Sequence, residues 1–168
     1  MSDRQRVVRR LDEGDDVRAV AGVYVASWRA AYRGLVPQAY LDALEPCVWE
    51  DSLKARAGRT WIACEGDEVV GVSTYSSARD EAYAGWGEVV SIYVRPEHLH
   101  AGWGSRLLQA SLGALSAEGY VSVYLWVLEG NAAARAFYEQ RGFVCNGDVM
   151  DVEVGGAPLR ELRYVRTL

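Results

Sequence analysis

The stretch VVSIYVRPEHLHAGWGSRLLQASL, from Val89 to Leu112, decides the fold. It opens within a β-prone run, GEVVSIYV (Gly87–Val94), that stops before Pro96, a residue with no N–H to give to a sheet ladder. Beyond the loop lies SRLLQASLGALSAEG, where Leu107, Leu108, Leu112 and Leu115 recur at helical spacing on one face. Between them sits Gly102-Trp103-Gly104. The first amides of a helix have no partners within it, and the helix dipole favours an anion there. Glycine lets that backbone approach a phosphate oxygen without a Cβ in the way. A Walker loop requires Gly-Lys-Ser/Thr, whereas Gly104 is followed by Ser105-Arg106. A dinucleotide fingerprint requires a small residue three positions on, where Leu107 stands. Two glycines by themselves are equally compatible with a simple turn.

Working outward, RVVRRL reads as a first strand closed by the polar turn DEGDD. Asp15 or Asp16 can cap a helix whose apolar positions include Val17, Val20, Val23 and Trp28. Gly34 suits its end, Pro37 opens the short helical segment PQAYLDAL, and VWEDSLKARA is helical up to Gly58. TWIACEG and EVVGVSTYS form a hairpin. After the Gly102–Gly104 helix come the strand VSVYLWVL and the helix NAAARAFYEQRG. The segments FVCNGDVMDVEV and LRELRYVRTL then form a long terminal hairpin. The expected order is β-α-α-β-β-β-α-β-α-β-β over residues 1–168 as one domain. Its helices, mixed with antiparallel hairpins, point to an α/β (α+β) mixed sheet of about seven strands flanked by helices.

The net charge is −5, and no run of Lys or Arg makes a phosphate-tracking stripe, so nucleic acid is not an expected partner. The opening MSDRQRVVRRLDEGDD lacks the apolar region of a secretory signal, and no apolar run is long enough for a bilayer. Cys47, Cys64 and Cys145 are odd in number and scattered, which predicts free thiols in a reducing cytoplasm. His98 and His100 have no third ligand at suitable spacing, so no metal is expected there. Ten tyrosines and six tryptophans against two phenylalanines leave several aromatic residues suited to lining a cleft.

YVRPEHLHAGWGSRLL resembles the acyl-CoA-binding motif of the GNAT family of N-acetyltransferases, Gln/Arg-x-x-Gly-x-Gly/Ala between a strand and a helix. Gly102 and Gly104 match its small positions. Leu99 stands where the family has Gln or Arg, and Trp103 where it more often has an aliphatic residue. LWVLEGNAAARAFYEQRGFV is similar to the family's C-terminal signature, with Asn131, Phe137, Tyr138, Gly142 and Phe143 in register. SWRAAYRGLVP is similar to its first-helix region. The resemblance spans nearly the whole chain and implies the GNAT fold, acetyl-CoA as cosubstrate and an amine acceptor.

It also implies a division of labour. Main-chain amides from Leu99 through His100, Ala101, Gly102, Trp103 and Gly104 to Ser105 would hold the diphosphate. Ile92, Tyr93 and Val94, on a strand splayed from its neighbour, would pair with the pantetheine arm. Asn131, which also caps its helix, would help, and Arg95, Arg106 and Arg135 are candidates for the remaining phosphates. Tyr138 is the expected general acid, since a phenol with a pKa of about 10 is protonated at neutral pH. Glu88 is the expected base, acting through a water. Trp28, Tyr32 and Tyr40 would wall the acceptor pocket, with Asp42, Glu45, Asp148 and Asp151 supplying negative charge for a small cationic amine or a peptide N-terminus. No nucleophile elbow is present, so direct attack of the amine is expected. The alternative is a non-catalytic acyl-CoA-binding sensor of the same fold. The terminal hairpin can also pair two copies into a homodimer.

Overall fold

The computed structural model describes residues 5–168. Seven strands form one sheet: β1 (Arg6–Arg10), β2 (Thr60–Glu65), β3 (Glu68–Ser77), β4 (Gly87–Val94), β5 (Ser122–Leu128), β6 (Val144–Val154) and β7 (Ala157–Thr167). Their spatial order is β1-β2-β3-β4-β5-β7-β6, antiparallel throughout except where β4 meets β5. The helices are α1 (Val17–Ala31), α2 (Gln38–Asp42), α3 (Cys47–Ala55), α4 (Trp103–Ala117) and α5 (Ala132–Glu139). The expected sheet and helix placement are present. The segments PQAYLDAL and VWEDSLKARA are separate short helices, so three helices, not two, precede β2.

Local chemistry sets the boundaries. Asp16 caps α1, its carboxylate accepting from the amides of Arg18 and Ala19. Asn131 caps α5 by accepting from Ala134 N–H at 3.2 Å. Alternation along the strands then divides the core. Ile62, Cys64 and Val72 face Val20, Val23 and Tyr24 of α1. Ala63 and Val94 face Trp103 and Leu107 of α4. On β5 and β7, Val123, Leu125, Val127, Leu162 and Tyr164 join the α4–α5 side. Tyr124, Trp126, Leu128, Glu161 and Arg163 therefore line the other face. Two glycines let α4 lie close to the sheet: a Cβ on Gly71 would come within 2.9 Å of Leu107, and one on Gly87 within 2.8 Å of Leu115.

The feature that shapes the site is a break in register. Thr74 pairs with Ser91, but Tyr75 pairs with Val89, leaving Val90 as an extra residue in β4. Such a bulge bends a strand and increases its twist. β5 runs beside β4 only at Gly87–Val123 and Glu88–Tyr124. Past Glu88 the two strands part.

Leu115 is fully buried between Gly87 and the α4–α5 core. Leu115→Ala is expected to cost about 2–5 kcal/mol, read from the shift in urea midpoint.

Candidate active site

The fork between β4 and β5 exposes main-chain groups that a closed sheet would consume. Arg95 N–H bonds to Val70 O at 2.8 Å, which fixes the phase of the β3–β4 ladder. By alternation the amides of Tyr93 and Ser91 also turn toward β3, while those of Ile92 and Val94 turn toward the gap. Of the three residues expected to meet a pantetheine arm, Ile92 and Val94 thus offer backbone amides. Tyr93 instead contributes its ring. It packs against Tyr24 and places its hydroxyl 3.0 Å from that of Tyr32.

The glycine loop ends at the mouth of this fork. Gly102 has φ +84°, a left-handed conformation that favours glycine, and His100 reaches φ +60° just before it. The amides from His100 to Ser105 find no acceptor among the described residues. Trp103 does not obstruct them, because its indole is turned inward and is 1% exposed among Ala63, Val70, Val94 and Leu107. Gly104 has a packing role as well: a Cβ there would approach Phe137 of α5 at 3.2 Å. Leu99 is half exposed and places no polar side chain at the loop.

The arginines are distributed differently from the sequence expectation. Arg95 donates to Val69 O, and Arg106 to Arg6 O while lying over Trp103. Arg135 is held by Tyr164 Oη at 3.0 Å and Glu129 O at 3.1 Å. Each is engaged within the protein. At the start of α4, Arg141 stacks on Phe137 and donates to Ser105 Oγ. It also lines a cavity of ≈ 540 Å³ between α4 and α5, together with Gln109, Gln140 and Arg166. His98 lies between Glu65 (3.2 Å) and Glu68 (3.8 Å). Glu68, Glu97 and His98 bring one potential ligand atom each within 4.8 Å of one another.

Tyr138 is 9% exposed on α5, edge-on to Phe137 and Phe143. Burial pushes its phenol up, and the nearby Tyr32 adds to the shift. Tyr93 is raised for the same reason and feels both Tyr32 and Tyr138. Three phenols, from the C-cap of α1, from β4 and from α5, therefore gather at the fork, all held protonated.

Glu88 stands where the strands part, and its setting does not suit a water-linked base. The carboxylate is 1% exposed. It accepts from Arg79 N–H and Nε at 3.1 Å and from Tyr124 Oη at 2.8 Å. Burial pushes its pKa up, but the bonds from Arg79 and Tyr124 outweigh burial and leave it below the ordinary value. Tyr124 is pushed up to about 12 by burial and by this bond. Glu88 and Tyr124 are also the last β4–β5 pair, so this cluster pins the root of the fork.

On the acceptor side, Trp28 and Tyr32 meet edge-on at 4.8 Å, and Trp49 joins Trp28 and Tyr24. Trp28, Tyr32 and Trp49 thus form an aromatic cluster joined by Tyr93; Trp49 was not among the residues singled out in the sequence. Tyr40 stands apart, packed against Gly155 at the tip of the terminal hairpin. Asp148 pairs with Arg163 and Asp151 with Arg160, while Asp42 accepts from Gln38. These three acidic side chains are occupied, and no contact brings Glu45 to the wall. A groove of ≈ 570 Å³ leads in past Leu35, Leu128, Gly130 and Leu159.

A sheet forked in this way before an anion-ready helix end is the architecture of the N-acyltransferases. The match at family level agrees, since residues 18–143 fit the model of the Acetyltransferase (GNAT) family. The chain belongs to that family. It is 30% identical over 127 residues to the uncharacterized N-acetyltransferase YuaI of Bacillus subtilis, covering 74% of this chain and 73% of that one. In fold it is similar to the PaiA N-acetyltransferase from Thermoplasma acidophilum solved with coenzyme A. There the TM-score is 0.75 and the identity 18%, over 98% of this chain and 99% of that one. It is likewise similar to the ribosomal-protein-alanine N-acetyltransferase from Brucella melitensis, with TM-score 0.75 and 21% identity over 96% and 99%. Among the described residues, no helix is long and apolar enough to cross a membrane.

Because the folded-state pKa of Glu88 is lowered, its contribution is present above the unfolded value and is lost as pH falls through the folded one. Glu88→Gln is expected to cost about 1–3 kcal/mol at neutral pH. The gap to wild type should close as the pH drops below 4.5, since protonated Glu and Gln are nearly isosteric. Urea unfolding of both proteins across that range measures it.

Proposed function

We propose that this protein moves an acetyl group from acetyl-CoA to a primary amine of a small molecule or peptide, by direct attack of the amine on the thioester. The observation that carries this reading is the fork itself. Unpaired amides at Ile92 and Val94 run on to the unpaired amides of His100 to Ser105, making one continuous polar track. A pantetheine arm pairs with an open strand as another strand would, and its diphosphate fits the start of α4. Gly102 and Gly104 keep side chains off that track, and the buried Trp103 leaves it clear. The Thermoplasma relative solved with coenzyme A has the same fold.

In this reading the amides at the fork polarise the thioester carbonyl, which then gains charge during attack. Tyr138 donates its proton to the departing thiolate. The burial that raises the phenol also raises a thiol placed beside it, so donor and acceptor stay matched. Asn131 holds the start of α5, which carries Tyr138. Glu88, ion-paired at the root, positions the two strands around the reacting centre. The aromatic wall of Trp28, Tyr32 and Trp49 receives the acceptor.

Acetyl-CoA at one hundred times its dissociation constant should stabilise the protein by about 2.7 kcal/mol in thermal unfolding. Tyr138→Phe should keep that shift and lose at least about 100-fold in turnover, measured by release of free thiol. No shift with the wild type would remove the cofactor assignment. Unchanged turnover in the variant would remove the acid.

A further inference from the structure

A second carboxylate shares the face of the sheet that holds Glu88. Glu161 of β7 pairs with Leu128 of β5 and with Met150 of β6. Leu162 beside it faces the α4–α5 core, so Glu161 faces the opposite side. Leu128, its direct cross-strand neighbour, shares a core cluster with Val25 of α1 and Tyr32 at the end of that helix. Glu161 is therefore partly buried next to the aromatic wall, close enough for its charge to be felt by Tyr32 and by Arg79.

Glu161 differs from the other acidic groups near the wall. Its carboxylate takes no hydrogen bond and no ion pair among the described residues. The cations that might neutralise it are committed elsewhere. Arg79 is held by Glu88, Arg160 by Asp151, and Arg135 by Tyr164. Arg163, two residues along, is paired with Asp80 and Asp148 and lies against Tyr83 and Trp126. A partly desolvated carboxylate with no partner in the protein is costly unless something cationic completes it.

We propose that Glu161 is the general base, binding the acceptor's ammonium group and taking its proton. The proposal rests on the acetyl-transfer reading above. One N–H proton passes from the ammonium to the Glu161 carboxylate, freeing the nitrogen lone pair. That pair forms the C–N bond at the thioester carbonyl carbon as the C–S bond breaks. The sulfur takes the Tyr138 proton, and the phenol is restored by the second proton lost from nitrogen. Glu161 returns its proton to solvent, leaving amide, thiol and one released proton.

Burial pushes the Glu161 carboxyl above its ordinary value, with the Arg79 charge offsetting part of the rise, while Glu88 moves the other way. Two carboxylates on one face with opposed shifts divide their work. The lowered one stays ionised as a fixed charge, and the raised one is the better proton acceptor.

The test is turnover of acetyl-CoA with a panel of spermidine, an aminoglycoside and an alanine-initiated peptide, comparing wild type with Glu161→Gln from pH 6 to 10. With any amine that the wild type acetylates, the variant should lose about 100-fold or more near neutrality. The loss should shrink as the pH rises and the amine deprotonates itself, while the thermal shift with acetyl-CoA stays unchanged. Arg79, Tyr32 and Arg163 are the charged and titratable groups facing Glu161, and none changes in the variant. Equal turnover overturns the proposal. So does a loss that is constant with pH and appears only in KM, which would mark Glu161 as a recognition charge alone. A wild type that binds acetyl-CoA yet acetylates no amine overturns the acetyl-transfer reading instead, and this inference falls with it.

Discussion

One unpaired residue in β4 governs the site. With Val90 accommodated as a bulge, the strand bends after Glu88 and leaves β5 after two paired positions. Without that bend, the amides of Ile92 and Val94 would be consumed in a parallel ladder, and no polar track would lead to α4. The opening carries an energetic cost, because unpaired main-chain groups in a protein interior are unfavourable. The Glu88–Arg79–Tyr124 cluster at the root offsets this by holding the last paired residues together.

The residues around the opening fall into two sets with different electrostatics. At the root a carboxylate is fully satisfied and firmly ionised. Deeper in, phenols from three elements are buried and protonated. Negative charge is thus fixed where the strands must hold, and protonated phenols gather deeper in the fork. The arginines follow the same logic. Most are spent on carbonyls and carboxylates that shape the fold, while Arg141 reaches Ser105 in the first turn of α4.

Much of this was legible in the sequence. Pro96 follows the end of β4, Gly102 caps α4, and Asn131 caps α5, because each rests on local backbone chemistry. The bulge was not legible: VVSIYV reads as an unbroken strand, and the extra residue exists only against β3. Arg135 is a phosphate candidate by resemblance, and Arg141 was not singled out. In the fold Arg135 is drawn to Tyr164, a neighbour only when β7 lies beside β5, whereas Arg141 reaches Ser105 of α4. Glu161 reads as the polar half of an alternating hairpin strand. Its burial arises because α1 lies over Leu128 beside it. Tyr40 packs against Gly155 at the tip of the terminal hairpin, a neighbour distant in sequence that only the folded chain supplies.

Arg6, on the outermost strand, reaches across the molecule to the glycine loop. It donates to Ala101 O at 2.6 Å, and its guanidinium lies 4.2 Å from the centre of the Trp103 ring. β1 itself is zipped only to β2. The rigidity of the glycine loop is thereby tied to the sheet's flank: peeling of that border strand would slacken the loop while the central layers stayed intact. On the proposed function, affinity for the donor would then fade on warming before the globule itself melts.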